Sequence, residues 1–310
     1  MFLRNGWYTA LWSHELAEKP VGKTFLNEKV VLFRNASRQV GALADSCCHR
    51  AAPLSMGELS GEYLVCGYHG LKFDVNGRCV EVPGQPEVPS GAKVRSYPTH
   101  EKNNVVWIWM GDADQADVKK IPNLPWLSDP KWAATPGRLY VKTNYQFIID
   151  NLLDLTHVAH VHKKTIAGDP REATTPTKTE RLPDGVRVGR WMIDFVPPPL
   201  FAKAGTGAPQ GDRSQGISIW SSHLITPETE HSSHYMFGFS RDFKTDDKDM
   251  SKLLFEGSRA TFLEDVEFLE AVQNNRSEGS LDGLIHITAD AAQLQARRML
   301  STMIGAEQGR

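Results

Sequence analysis

Two pairs of residues near the N-terminus can bind a soft metal. Cys47 and His49 are separated by one residue, and sixteen residues further on Cys66 and His69 are separated by two. Two thiolates and two imidazoles delivered by two loops suit tetrahedral zinc, and by donor type alone they suit iron and sulfur as well. The surroundings favour sulfur. The stretch "CGYHGLKFD" sets Gly67 and Gly70 around the second pair, where backbone amides can approach closely and hydrogen-bond a bridging sulfide. Each pair is expected at a β-turn. Cys48 and Cys79 fall outside the spacing and are expected as buried thiols. Four cysteines in 310 residues build no disulfide scaffold.

A second metal-binding pattern follows. "NLLDLTHVAHVH" (Asn151–His162) packs three histidines and an aspartate among apolar residues. Read as one helix at about 100° per residue, Asp150, Asp154 and His157 share a narrow face with Val161 and should be buried. Buried ionisable groups are costly unless paired or metal-bound. On a straight helix His160 shares the face of His157 while His162 lies about 140° away, so geometry alone favours His160 as its partner. Two histidines leave a facial site one carboxylate short. In "FLEDVEFLEAVQ" (Phe262–Gln273), Asp265 falls inside an apolar stripe of Phe262, Phe268, Leu269 and Val272, while Glu264, Glu267 and Glu270 fall off it. An aspartate in that stripe needs a strong counter-charge, which ferrous iron would supply.

The elements that must present these groups differ between the halves. Up to about residue 110, short β-type runs ("KVVLFR", "QVGALA", "EYLVCGYHG", "CVEVPG", "NNVVWIWM") alternate with Gly, Pro, Asn and Asp turns, which reads as a small β domain. Prolines and tryptophans in "KKIPNLPWLSDPKWAATPG" mark a linker. The division expected is 1–112 and 113–310, with the linker over 113–137; a chain of this length is long enough for two cores. Beyond it, "RLYVKTNYQF" alternates before the histidine-rich helix, and "GISIWSSHLITPETEHSSHYMFGFSRDF" reads as two strands around a "TPETE" turn. Helical periodicity covers about 250–275 and 290–303. The second half is therefore α+β.

Composition excludes other classes. Lys+Arg 35 against Asp+Glu 37 leaves a net charge of -2, which gives no reason to seek nucleic acid or an anionic membrane. The longest apolar run, "VVWIWM", is far too short to span a bilayer. A cytoplasmic protein acting on a small molecule is expected.

The Cys-x-His and Cys-x-x-His pairs resemble the Rieske [2Fe-2S] signature, in which two cysteines hold one iron and two histidines the other. With "NGWYTALWSHEL", "CCHRAAPLSMG", "NLLDLTHVAHVH", the strand pair and "EDVEFLEAVQ", nearly the whole chain resembles the Rieske non-haem iron oxygenases of the vanillate and dicamba O-demethylase branch. The resemblance implies an all-β Rieske domain followed by an antiparallel sheet with helices, of helix-grip type. It implies a cluster on Cys47, His49, Cys66 and His69, and a mononuclear Fe(2+) on His157, His162 and Asp265. His162 is the ligand by resemblance, so the helix must be distorted or end before it, and His160 becomes pocket lining.

Asp154 and Asn151 match catalytic positions. In a head-to-tail homotrimer Asp154 would bridge His69 of one copy to His157 of the next. Implied too are NAD(P)H-derived electrons from a separate reductase or ferredoxin, O2, and an aromatic acid as substrate. Monooxygenation of a methoxylated aromatic would release formaldehyde; ring hydroxylation or dihydroxylation of another aromatic is the alternative. His223 matches a contact to a substrate carboxylate, and Trp220, Phe237, Phe239 and the stretch "VPPPLF" are candidate pocket residues. The branch's late-helix tryptophan is not evident here.

Overall fold

The computed structural model describes residues 1–166, 169–183, 185–190, 218–276 and 283–309. The stretch 196–201, expected to line the pocket, lies outside them. Contacts divide the chain into two units, one of Phe2–Leu124 with Thr226–Thr229, the other of Met1, Pro125–Ile225 and Glu230–Arg310.

Frequent turn residues cut the first unit into ten short strands: β1 (Trp7–Trp12), β2 (Val21–Phe25), β3 (Glu28–Arg34), β4 (Val40–Ala44), β5 (Glu58–Ser60), β6 (Tyr63–Val65), β7 (Lys72–Phe73), β8 (Cys79–Glu81), β9 (Thr99–Lys102) and β10 (Val105–Trp109). They form antiparallel sheets ordered β1-β10-β9, β2-β3-β4 and β5-β6-β7-β8. Alternate residues of β3 feed two cores. Val30 and Leu32 join Phe25, Val106 and Ile108, whereas Val31 and Phe33 join Leu54, Leu64, Phe73 and the buried Cys47, Cys66 and Cys79. Each such buried side chain stabilises by about 1.5–3 kcal/mol, so the loops bearing the first Cys/His pairs grow from a packed base. Residues 113–124 pack with this unit, where Asp112 and Asp117 cap two short turns and accept from Trp109 and Trp7 through their carbonyls. The second unit begins at Pro125, inside the stretch expected as a linker.

In the second unit β11 (Ala133–Val141), β14 (Ile219–Thr229) and β15 (Ser232–Arg241) form a sheet ordered β11-β15-β14, and β12 (Lys178–Leu182) pairs with β13 (Gly185–Gly189). Among the described residues four helices accompany them: α1 (Tyr145–Leu153), the short α2 (Val158–Val161), α3 (Lys248–Asn275) and α4 (Ala291–Glu307). The long α3 lies on the sheet, and Phe262 and Leu269 pack with Val141, Phe147, Ile148, Tyr235 and Phe237. Among the described residues no helix is long and apolar enough to cross a membrane.

Four local expectations are corrected. Alternation in "RLYVKTNYQF" does not continue as strand, because Asn144 caps α1 by accepting from the Gln146 amide at 2.9 Å. The strand begins earlier, at Ala133, and keeps Pro136 because β11 is an outer strand of its sheet among the described residues. The hairpin turns at Glu230 and His231, so "TPET" belongs to β14, which among the described residues is another outer strand of its sheet and tolerates Pro227. Phe268 and Val272 are exposed: the buried stripe of α3 runs Leu254, Ser258, Phe262, Asp265, Leu269, Gln273. Gln273 takes the inner place because its side-chain oxygen accepts from the Asn144 amide at 2.6 Å.

The fourth correction concerns the histidine-rich segment, which is not one helix. α1 stops at Leu153, and Asp154 Oδ1 then accepts from Thr156 N at 2.7 Å and Thr156 Oγ1 at 2.6 Å, a local turn that competes with helical continuation. Helix resumes at Val158 with His157 and His162 flanking it. Asp150, Asp154 and His157 therefore do not share a face. Asp150 instead receives the Arg297 guanidinium from α4, with Nε at 2.9 Å.

Candidate metal centres

The two loops of the first unit close in the same way. Cys47 N donates to Ala52 O and Ala51 N to Cys47 O; Cys66 N donates to Leu71 O and Gly70 N to Cys66 O. Ala51 and Gly70 both have left-handed backbones, at φ 55° and 74°. For alanine that conformation costs about 1–2 kcal/mol, so the surrounding fold imposes the shape. Cys47 and Cys66 are buried, whereas His49 and His69 are exposed with ring centroids 4.5 Å apart.

Sulfur donors thus gather inside and imidazoles outside, a donor set with two unlike ends, which fits a two-iron cluster. Burial pushes the Cys47 thiol up to about 11, the His49 amide opposing and Cys66 adding to the rise, so Cys47 gives up its proton readily only to a metal. A cavity of about 560 Å³, lined by Cys48, His49, His69, Leu71 and Pro83 among others, opens on the imidazole side. Cys48 is exposed, against expectation, because it faces away from the core that takes Cys47; Cys79 is buried as expected.

The second centre assembles from α2 and α3. Nε2 of His157 and Nε2 of His162 lie 3.4 and 3.2 Å from the same oxygen, Asp265 Oδ1. These spacings approach the edge of about 3 Å that metal bonds of about 2.1 Å set at right angles would give. One ligand atom from each of the three residues falls within 4.8 Å of the others. Burial pushes the Asp265 carboxyl up, but hydrogen bonds from both imidazoles outweigh it and bring it down to about 2. Two imidazoles and an ionised, buried carboxylate form the donor set expected for non-haem ferrous iron. His160 is exposed on α2 and stands outside this group, so the break before His157 brings in His162 rather than the partner a straight helix favours.

Neighbouring groups hold these side chains. His157 Nδ1 hydrogen-bonds the Asp154 carbonyl. Asn151 Nδ2 donates to Asp265 Oδ1 at 3.1 Å. His162 Nδ1 meets Glu264 Oε2 at 2.8 Å, and the Thr165 hydroxyl donates to the same oxygen at 2.7 Å. Sequence reasoning missed Glu264 and Thr165; the only signal for Glu264 was its place beside Asp265.

His223 lies beside this centre, its ring centroid 5.1 Å from that of Phe262, one helical turn before Asp265. Its Nδ1 is 2.6 Å from the Tyr235 hydroxyl and its Nε2 is 2.9 Å from Ser221 Oγ. Burial pulls the His223 imidazole down to about 4 despite the attraction of Asp265, so it is neutral at ordinary pH. Tyr235, also missed in the sequence, is raised by burial and by Asp265 and stays a phenol. Phe237 packs between Phe255 and Phe262, and Phe239 packs on Met250 and Leu254. Trp220 stacks on Trp126 at 4.2 Å and is 46 % exposed. Among the aromatic candidates, His223 is the one brought beside the acidic group.

Comparison with known proteins agrees with both centres. Residues 6–98 match the Rieske [2Fe-2S] domain, and residues 141–215 and 202–306 match the vanillate O-demethylase oxygenase C-terminal domain. The chain belongs to the Rieske non-haem iron oxygenases of this branch. It is 38% identical to the iron-sulfur subunit of the toluene-4-sulfonate monooxygenase system of Comamonas testosteroni, over 100% of this chain and 99% of that protein. It is 32% identical to the vanillate O-demethylase oxygenase subunit of a Pseudomonas species, over 99% and 96%. The crystal structure of dicamba monooxygenase with non-heme iron and dicamba matches with a TM-score of 0.87 at 32% identity, covering 100% and 99% of the two chains. The protein is therefore an oxidoreductase, the oxygenase component of an aromatic monooxygenase system, with a Rieske [2Fe-2S] cluster and a mononuclear iron.

Proposed function

We propose that Cys47, Cys66, His49 and His69 hold the cluster, that His157, His162 and Asp265 hold the mononuclear iron, and that the enzyme hydroxylates a one-carbon substituent on an anionic monocyclic arene. The observation that carries this is the buried set of two imidazoles and one carboxylate with neutral His223 beside it. A neutral imidazole that accepts from the Tyr235 hydroxyl at Nδ1 carries its one N–H on Nε2, where a carboxylate or sulfonate oxygen takes the place of Ser221 Oγ, and the aromatic edges of Phe262 and Tyr235 flank the ring. Relatives named for toluene-4-sulfonate and for vanillate both act on arenes that carry an acid group.

When bound, the two iron centres would supply the redox chemistry: two electrons from NAD(P)H, delivered through a reductase or ferredoxin, and two protons reduce O2 so that one oxygen atom enters a C–H bond and the other leaves as water. The chain's residues orient the substrate and exclude water. On a methoxy group the resulting hemiacetal falls apart to a phenol and formaldehyde; on a methyl group the product is an alcohol. The functional unit we propose is a cytoplasmic head-to-tail homotrimer, a heterologous contact closing into a ring, in which Asp154 joins His157 to His69 of a neighbouring copy.

The test is product analysis with reconstituted enzyme, an electron donor, O2, and a panel of methoxybenzoates and methylbenzenesulfonates. Formaldehyde from the first or hydroxymethyl product from the second is expected. Products oxygenated on the ring alone would overturn the proposal.

A further inference from the structure

Consecutive residues of α3 grip both nitrogens of one imidazole. Asp265 Oδ1 lies 3.2 Å from His162 Nε2, and Glu264 Oε2 lies 2.8 Å from His162 Nδ1. Adjacent helical residues project about 100° apart, so the two carboxylates reach opposite edges of a ring lying across the helix. His162 is 1 % exposed and cannot turn to water. Glu264 is fixed in turn: Thr165 Oγ1 donates to its Oε2 at 2.7 Å, and Thr165 N donates to His162 O at 3.0 Å, which places that hydroxyl from the turn following the histidine. His157 is held differently, its Nδ1 meeting a neutral backbone carbonyl. A metal-bound imidazole keeps its orientation, tautomer and basicity through the group on its far nitrogen, and a carboxylate raises basicity more than a carbonyl does.

We infer that Glu264, fixed by Thr165, is a positioning residue for the mononuclear iron. It holds the proton of His162 on Nδ1, leaves Nε2 bare toward the metal, and makes His162 the stronger of the two histidine donors. The inference rests on the assignment of His157, His162 and Asp265 as iron ligands.

The test uses the full-length, iron-loaded enzyme and follows mononuclear iron loss to a ferrous chelator, with the visible absorbance of the cluster as an internal check of folding. The spectrum of the nitric oxide adduct of the ferrous site reports its ligand field. Glu264→Ala is expected to weaken iron retention about 10–100-fold at unchanged cluster absorbance. Glu264→Gln keeps an acceptor without the charge, so it should retain iron within about tenfold of the wild type while its nitrosyl spectrum shifts. Thr165→Val should fall between the two in retention. Wild-type retention and spectrum in Glu264→Ala would overturn the inference, and if that variant does not fold, the same result in Glu264→Gln would do so. Asp265→Ala is the control. Its loss of iron beside an unaffected Glu264→Ala leaves the triad standing and removes Glu264 alone, whereas iron retained in Asp265→Ala removes both.

Discussion

Gly137 faces Phe237 directly across the β11–β15 pair, and a Cβ at that position would come within 2.2 Å of the phenyl Cζ. The ring lies over the glycine and touches Phe262, one turn of α3 before Asp265. Gly137→Ala should therefore push Phe237 toward Phe262. Overpacking of this kind costs about 1–3 kcal/mol, so a lowered melting temperature for the second unit and reduced iron occupancy are expected. An unchanged melting temperature with full iron content would show that the ring can move aside.

Asp265→Ala removes the one carboxylate to which both imidazoles converge. The cluster residues belong to the other unit, so the variant should keep its cluster absorbance while losing mononuclear iron and turnover. The metal-free wild type carries a pH signature of the same contact. A carboxyl lowered to about 2 stabilises the fold above its ordinary range near 3.8 and loses that contribution as pH falls from there toward 2. Acid unfolding of the metal-free protein should shift to higher pH in the variant. Turnover by Asp265→Ala would remove this residue from the site.

Asp150 and Arg297 form an ion pair that is largely out of water, at 8 % exposure for Asp150, and Gln146 and Phe147 also engage the guanidinium. The pair ties α4 to α1, the helix that carries Asn151. Burial pushes the Asp150 carboxyl up, and Arg297 only partly offsets this. Arg297→Leu leaves a buried carboxylate alone, at a cost of about 3–5 kcal/mol. A raised acid is at ease while protonated, so the variant should weaken further as pH rises above the ordinary carboxyl value near 3.8. Asp150→Asn combined with Arg297→Leu should recover most of the loss; a double variant as weak as the single one would place the damage elsewhere.

What could be read in advance follows how local each interaction is. The β domain was legible because the runs at Val30–Phe33 and Val105–Trp109 alternate or are apolar throughout, and turn residues bound them. Asp265 was legible because a charge inside an apolar stripe needs an explanation, although that stripe is turned away from Phe268 and Val272 by Gln273, whose partner Asn144 is remote in sequence. Periodicity favours His160 over His162, since the break before His157, where the Asp154 side chain folds onto Thr156, leaves no mark on it. Tyr235 gave no signal and Glu264 none beyond its place beside Asp265, because their partners His223 and His162 meet them only through the fold.

Asp154 serves the site through two different atoms. Its carbonyl holds His157 and its carboxylate holds Thr156. Asp154→Ala keeps the carbonyl, so both centres should load normally. If the carboxylate also bridges to His69 of a neighbouring copy, reoxidation of the reduced cluster by substrate-bound enzyme should slow at least tenfold, as seen in single-turnover stopped-flow absorbance. A wild-type rate would discard that bridge.

The charge state of His223 bears on how an anionic substrate is held. With its imidazole brought down to about 4 by burial, the ring is neutral from neutral pH to well below its ordinary value near 6.5. A base lowered in this way costs the fold nothing above about 6.5 and destabilises it by up to about 1.4 kcal/mol per pH unit as pH falls toward 4. His223→Gln should therefore blunt the acid sensitivity of the second unit. For binding, a neutral donor predicts a KM for the acid substrate that is flat between about pH 6 and 8. A protonated histidine would instead bind the anion best below its own value, so KM would climb about tenfold for each unit above it. Such a climb, absent in His223→Gln, would show that the ring binds substrate as a cation.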